Sequence, residues 1–217
     1  MRSSDYSVQI GSVVLPNPIM TASGTAGHGA ELAAYVDLSE LGAVVVKSLS
    51  AEPWSGNPAP RAHGTPAGMI NSVGLQNPGI DSWINNDLPA LIDHGARVVA
   101  SIWGKSVAEY REAATRLAGI DGIVAVEVNV SCPNLEEKGD MFSHAPDTCR
   151  LAIEASLVAG LPLWAKLSPN VTDIVPIARA ALDGGAEALT LTNTVLGMVI
   201  DPETRRPVLG SGGGGLS

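Results

Sequence analysis

Residues 123–134 read Ile123 Val124 Ala125 Val126 Glu127 Val128 Asn129 Val130 Ser131 Cys132 Pro133 Asn134. Successive side chains of a strand point to opposite faces, so a period of two puts four valines on one side and Ala125, Glu127 and Asn129 on the other. A strand with its apolar side toward covering helices and its polar side turned inward suits a parallel sheet buried on both faces. It delivers Asn129 to the mouth of a barrel and Cys132 to the loop just beyond.

Working outward, five more apolar runs read as strands, at 18–23, 43–49, 97–102, 163–167 and 188–192. Between the six lie helical patterns near 30–41, 81–94, 106–119, 146–160 and 172–184, the alternation that marks βα units. Asp81 and Ser106 are placed to cap helix N-termini, and Gly95, Gly119, Gly160 and Gly184 to end helices. Residues 8–15, with Gly11 at the centre, read as a β-hairpin that plugs one end of the barrel. The expected fold class is α/β, a TIM (β/α)8 barrel of which the chain holds about the first six units plus that hairpin. Residues 50–80 and 131–145 have no helical pattern and follow strand ends, where barrel active sites lie. The run Gly210 Ser211 Gly212 Gly213 Gly214 Gly215 reads as part of a further active-site loop. Residues 1–217 are therefore expected to form one incomplete barrel domain.

Composition narrows the class. The chain has 217 residues, 45% apolar and only 16% charged, with four Trp, three Tyr and one Phe. A formal charge of −9 opposes nucleic-acid binding, which rests on clustered Lys and Arg. Residues 1–9 lack the apolar core of a signal peptide, and no run is long enough to span a membrane. Cys132 and Cys149 cannot build a disulfide framework, and the four histidines show no metal-ligand spacing. The expectation is a cytoplasmic protein without nucleic-acid, membrane or metal partners.

Lys47 ends the run Ala43 Val44 Val45 Val46, and Lys166 ends Leu163 Trp164 Ala165. Two lysines so placed, in a chain with 13 basic residues, suggest a positive site for an anionic ligand. Snorkelling of each to water is the plainer alternative. Asn71, Asn77, Asn129 and Asn193 offer both donors and acceptors. Residues 22–25 and 210–215 would let backbone amides approach a planar cofactor or a phosphate. Cys132 is a candidate base or nucleophile, whereas Cys149, among Leu151, Ala152 and Ile153, reads as a buried helix residue. A Schiff-base lyase using Lys47 or Lys166 is the rival activity, and an inactive fragment is another alternative.

Together the motifs Thr21 Ala22 Ser23 Gly24 Thr25, Gly56 Asn57 Pro58 with Pro60 Arg61, residues 71–78, Asn129 Val130 Ser131 Cys132 Pro133 Asn134, Lys166 Leu167 Ser168 Pro169 Asn170 and Asn193 Thr194 are similar to those of class 1 dihydroorotate dehydrogenases. The resemblance implies a TIM barrel with FMN at its C-terminal mouth and oxidation of (S)-dihydroorotate to orotate on the route to UMP. It implies Cys132 as the catalytic base. It implies Lys47, Asn71, Gly74, Leu75, Asn129, Asn134, Asn193 and Thr194 around the substrate, and Ala22, Ser23, Lys47, Asn129 and Lys166 around the flavin. Cys at 132 resembles the soluble class. Residues 135–142, with Gly197 Met198 and Asp201 Pro202, resemble the NAD-dependent form, which implies a homodimer working with an iron–sulfur and FAD subunit.

Overall fold

Short runs of Val, Ile and Ala, too apolar to face water on either side, line up in parallel and leave their two faces to be covered by helices and by the hairpin. The computed structural model describes residues 6–66, 68–131 and 142–216. Its strands in chain order are β1 (Val8–Ile10), β2 (Val13–Leu15), β3 (Val44–Val45), β4 (Ala62–Thr65), β5 (Gly68–Asn71), β6 (Val98–Ile102), β7 (Ile123–Asn129), β8 (Leu163–Lys166), β9 (Ala188–Thr190), β10 (Val195–Gly197), β11 (Ile200–Asp201), β12 (Arg206–Pro207) and β13 (Gly214–Leu216). The helices are α1 (Ile80–Asn86), α2 (Leu88–Asp93), α3 (Val107–Leu117), α4 (Pro146–Ser156) and α5 (Val175–Asp183).

The main sheet is parallel, in the order β3-β6-β7-β8-β9, and forms part of a TIM barrel. The expected first strand, 18–23, contributes only a parallel bridge from Met20 to Ala43. The hydroxyl of Thr21 takes over the ladder there, accepting from Val45 N (2.8 Å) and donating to Val45 O (3.2 Å). Outside the sheet, Trp83, Tyr110, Leu117, Cys149, Ile153 and Ile177 pack with Ile123, Val126, Val128 and Val130. Val124 does not join them. The β6–β7 register slips so that Val98 meets Ile123 and Val99 meets Ala125, and Val124 turns toward the hairpin side. Three valines, not four, therefore face the helices.

Inside the sheet, β1 and β2 close the N-terminal end: Leu15 packs with Ala43, Val45, Val99, Ala125 and Trp164. Gly11 turns this hairpin at φ +59°, where a side chain would meet Glu187, whose carboxylate accepts from Ser12 N at 2.6 Å.

Other elements differ from expectation for local reasons. The helix expected at 30–41 is two 3-10 turns, because the Asp37 carboxylate takes the Ser39 N–H (2.9 Å) and hydroxyl (2.7 Å) and competes with a helix. The 81–94 helix breaks into α1 and α2 ahead of Pro89, which has no N–H to give. Ser106 caps α3 as expected, but the N-cap of α1 is Gly79, which offers no side chain, and Asp81 lies inside the helix. The stretch 50–80, expected to lack structure, holds β4 and β5, which join β13 and β10 in a four-stranded antiparallel sheet. The last two glycines of the 210–215 run are therefore sheet, not part of a cradle of free amides: Gly215 pairs with Asn71, and a side chain there would collide with Thr194 Oγ1. Among the described residues no helix is long and apolar enough to cross a membrane.

Leu15, 0% exposed, is the hairpin's main anchor. Leu15→Ala is expected to cost about 2–5 kcal/mol, read as a fall in the urea unfolding midpoint; an unchanged midpoint would show that the hairpin is not part of the core.

Candidate active site

Toward its C-terminal end the interior of the sheet changes from apolar to polar. Glu127, 2% exposed, accepts from Ser101 Oγ at 3.0 Å and from Thr190 Oγ1 at 3.0 Å. A carboxylate only accepts, so both hydroxyl protons point at it. Ser101 then has only lone pairs to offer Ser48, whose Oγ lies 2.9 Å away and must donate. Ser48 in turn accepts from Asn129 Nδ2 (3.1 Å) and from Ser23 Oγ (3.3 Å). This chain sets the carboxamide of Asn129 with Oδ1 toward Asn193 Nδ2 (3.3 Å) and Ser131 N (3.2 Å). From the other end the backbone agrees, since Asn193 Oδ1 accepts from Thr194 N at 2.8 Å. Tyr110, from α3, fixes the strand itself by donating to Asn129 O at 2.7 Å.

Both lysines belong to this polar layer. Lys166, 7% exposed, stands opposite Asn129 on one side and Thr190 on the other. Lys47 reaches it through an irregularity: Val46 N bonds Val99 O but Leu49 N bonds Ser101 O, so β3 carries one residue more than β6 and Lys47 and Ser48 are both turned inward. A Cβ on Gly24 would lie 3.5 Å from Lys47 Nζ, which puts the ammonium beside residues 22–24. Burial, and then the charge of Lys166, hold the Lys47 pKa below its ordinary value. Among the described residues neither lysine has a carboxylate within ion-pair distance. Snorkelling to water does not describe Lys166, which is buried, whereas Lys47 is half-buried.

Residues 71–77 are held at the rim. Asn77, buried, bonds Ser50 N through Oδ1 (3.1 Å) and Leu75 O through Nδ2 (2.9 Å). Gly74 O accepts from the Trp54 indole, and Leu75 sits at φ +62°. Arg61 donates to Asn57 O, Ser55 O and Gln76 Oε1. Asn71 lies in β5, where its carboxamide faces Gly215 O at 3.5 Å. Thr194 O accepts from Asn170 Nδ2 at 3.0 Å. Ala22 is exposed at the rim and Ser23 half-buried beneath it. Cys132 and Asn134 lie outside the described residues. Burial pushes the Cys149 thiol up to about 12, as its helix position implies.

Sequence reasoning left Ser48, Ser101, Glu127 and Thr190 without a role. Their signal was a single polar residue at an inward position within an apolar run. His28 is half-buried. Its burial and the Lys47 charge lower its pKa against the opposing carboxylates of Asp87 and Glu31. Chemically, two ammonium groups without an ion-pair partner among the described residues, oriented carboxamides and a small-residue rim suit an anionic, planar ligand with amide and carbonyl edges. Among the described residues no group of three or more His, Cys, Asp or Glu is placed to hold a metal ion. Of two open clefts, one of about 700 Å3 is lined by His144, Pro169 and Asn170, and one of about 800 Å3 adjoins the rim and is lined by His28, Trp54 and Asn77.

The family model for dihydroorotate dehydrogenase matches residues 6–217. Curated relatives include the catalytic subunits of dihydroorotate dehydrogenase B (NAD(+)) from Geobacter sp. (strain M21), 46% identical over 218 aligned positions, and from Alkaliphilus metalliredigens (strain QYMF), 47% identical over 218. Each match covers 100% of this chain and 72% of the relative. The corresponding subunit of Desulforudis audaxviator (strain MP104C) is 51% identical over 211 positions, 97% of this chain and 69% of its own length.

Because the Lys47 pKa is lowered on folding, its charge opposes folding at neutral pH, and stability rises with pH between the lowered value and the ordinary 10.5. Lys47→Met keeps the apolar stem and is expected to raise the thermal midpoint of the ligand-free chain at pH 7, the gain shrinking in alkali. A lower midpoint at pH 7 would show that the ammonium is not destabilised by its site.

Proposed function

The chain belongs to the dihydroorotate dehydrogenase family, and we propose that its reaction, oxidation of (S)-dihydroorotate to orotate in pyrimidine biosynthesis, takes place at the polar layer around Lys47, Asn129, Lys166 and Asn193, with FMN as its cofactor. The observation that carries this is the pair of lysines, without a carboxylate in ion-pair distance among the described residues, beside the ordered Asn129 and Asn193 carboxamides. Lys47 and Lys166 would face the flavin, Ala22 and Ser23 would border its ring, and the bound flavin would supply the two-electron acceptor for hydride from C6. Every other part of the chemistry falls to the chain. Asn129 and Asn193, with Asn71 and Asn134, would read the amide edges of the pyrimidine, with Gly74, Leu75 and Thr194 completing the enclosure. Holding one rigid substrate between a base and a hydride acceptor lets a single pose serve both transfers. Cys132 would take the C5 proton as thiolate.

The designation of the relatives as catalytic subunits supports a partner subunit, and the NAD(+) in their names supports electrons passing onward to NAD. The assembly we infer is two copies of this chain joined to an iron–sulfur and FAD subunit, in the cytoplasm. A lowered lysine pKa would also suit a Schiff-base nucleophile. Borohydride trapping of a carbonyl substrate on Lys47 would favour that reading, but it leaves Asn129 and Asn193 without a task.

In the full chain, Cys132→Ala is expected to keep bound flavin and to lose about 10²–10⁴-fold in the rate of flavin reduction by dihydroorotate. Lys166→Met should weaken flavin binding in a titration of the apoprotein. Unimpaired reduction in the first variant would refute the base.

A further inference from the structure

Three residues outside the polar layer form a cluster at the rim. Trp54, in the segment after β3, is 38% exposed, yet it is bonded three times to the segment carrying Gly74 and Leu75. Its indole N–H donates to Gly74 O at 3.0 Å, its backbone N–H to Asn77 O at 3.0 Å, and its carbonyl accepts from Asn77 N at 2.9 Å. Lys105 comes from the next loop, between β6 and α3, and holds its ammonium 3.2 Å from the centre of the Trp54 ring. Trp103, 3% exposed and fixed by its N–H to Leu49 O at 3.0 Å, meets Trp54 edge-on at 6.1 Å and lies 5.8 Å from the same ammonium. The root of Lys105 is itself tied down, since its backbone N–H donates to Glu109 Oε2 at 2.8 Å in the first turn of α3. Among the described residues Lys105 has no carboxylate within ion-pair distance, so its charge goes to the indole faces.

What this cluster holds is costly to hold. Leu75 has φ +62°, the left-handed region that a side chain disfavours, directly after Gly74 at φ +74°. Such a conformation persists only where its surroundings over-determine it, and Trp54 and Asn77 supply those bonds on the rim side. A cation over an indole is attracted to the negative face of the ring and excludes other positions for it.

We propose that Lys105 and Trp54 form a latch between the loops of two neighbouring barrel strands, and that the latch keeps Gly74 and Leu75 in the conformation that receives the substrate. Both are positioning residues acting through the 74–77 segment, and neither touches the reacting atoms. The inference rests on the functional reading above, in which that segment borders dihydroorotate.

The test uses the flavin-loaded full chain. Lys105→Met keeps the stem and removes the charge, and it is expected to raise KM for dihydroorotate about 2- to 5-fold while the flavin-reduction rate at saturation stays within about 2-fold. Trp54→Phe keeps a ring for the ammonium but loses the bond to Gly74 O, and should raise KM about 5- to 10-fold. Lys105→Arg restores a cation and should return KM to the wild-type value. In the ligand-free chain Lys105→Met should also make tryptophan fluorescence more open to acrylamide quenching. A merely structural role would lower the thermal midpoint without this split between KM and rate. Wild-type KM in Lys105→Met, or no rescue by Arg, overturns the latch while leaving the reaction in place. Absence of any dihydroorotate-driven flavin reduction in the wild type overturns the functional reading and the latch with it.

Discussion

Lys47 and Lys166 are carried by the same polar layer, and the cost of taking their charges out of water, to which for Lys47 the charge of Lys166 adds, is the constraint on which the rest of the site depends. An apolar barrel interior would have packed more stably, because buried like charges cost free energy and gain none unless something negative lies between them. The sheet meets this cost in two ways. It keeps the charges in the layer nearest the mouth, and it surrounds them with groups whose dipoles are fixed: Ser48, Ser101, Asn129, Thr190 and Asn193. Glu127 gives that network its direction. As an acceptor facing two hydroxyls it leaves Ser48 and Asn129 one arrangement of protons, so the site is ordered before a ligand arrives.

Rigid support comes from both ends. The hairpin of β1 and β2 fills the N-terminal side with Leu15 against Val45, Val99 and Trp164, and so holds the strand backbones at fixed separation under the polar layer. At the mouth, the antiparallel sheet of β10, β13, β5 and β4 joins the segment after β3 to the segment after β9. Asn71 in β5 and Thr194 just before β10 are thus brought to the same Gly215, although they lie far apart in sequence, with Gly215 pairing to Asn71 and packed against Thr194. Binding groups on loops, set by a stiff scaffold, are what a barrel offers.

Much of this was legible in sequence where the period is strong. The alternation in 123–130 placed Glu127 and Asn129 inward, and the two apolar runs that end in lysine proved to bring both lysines to the same polar layer. Legibility failed where pairing is non-local. Gly214 and Gly215 have no strand propensity of their own and become β13 only because β5 and β10 flank them. It failed also at single residues that shift a register: the slip at Val124, and the extra residue that turns Lys47 and Ser48 inward together, depend on the neighbouring strand. The Ser48–Ser101–Glu127–Thr190 chain was missed because each member, read alone, is an unremarkable polar residue in an apolar run. Cys132 and Asn134 rest on motif resemblance.

A crystal structure of the full chain with FMN and orotate bound tests the account most directly. The account predicts density for both ligands in the barrel mouth, with Lys47 and Lys166 within hydrogen-bonding distance of the flavin and Asn129 and Asn193 within hydrogen-bonding distance of orotate. Ligands seated instead in the cleft beside His144 and Asn170, with both lysines untouched, would contradict it.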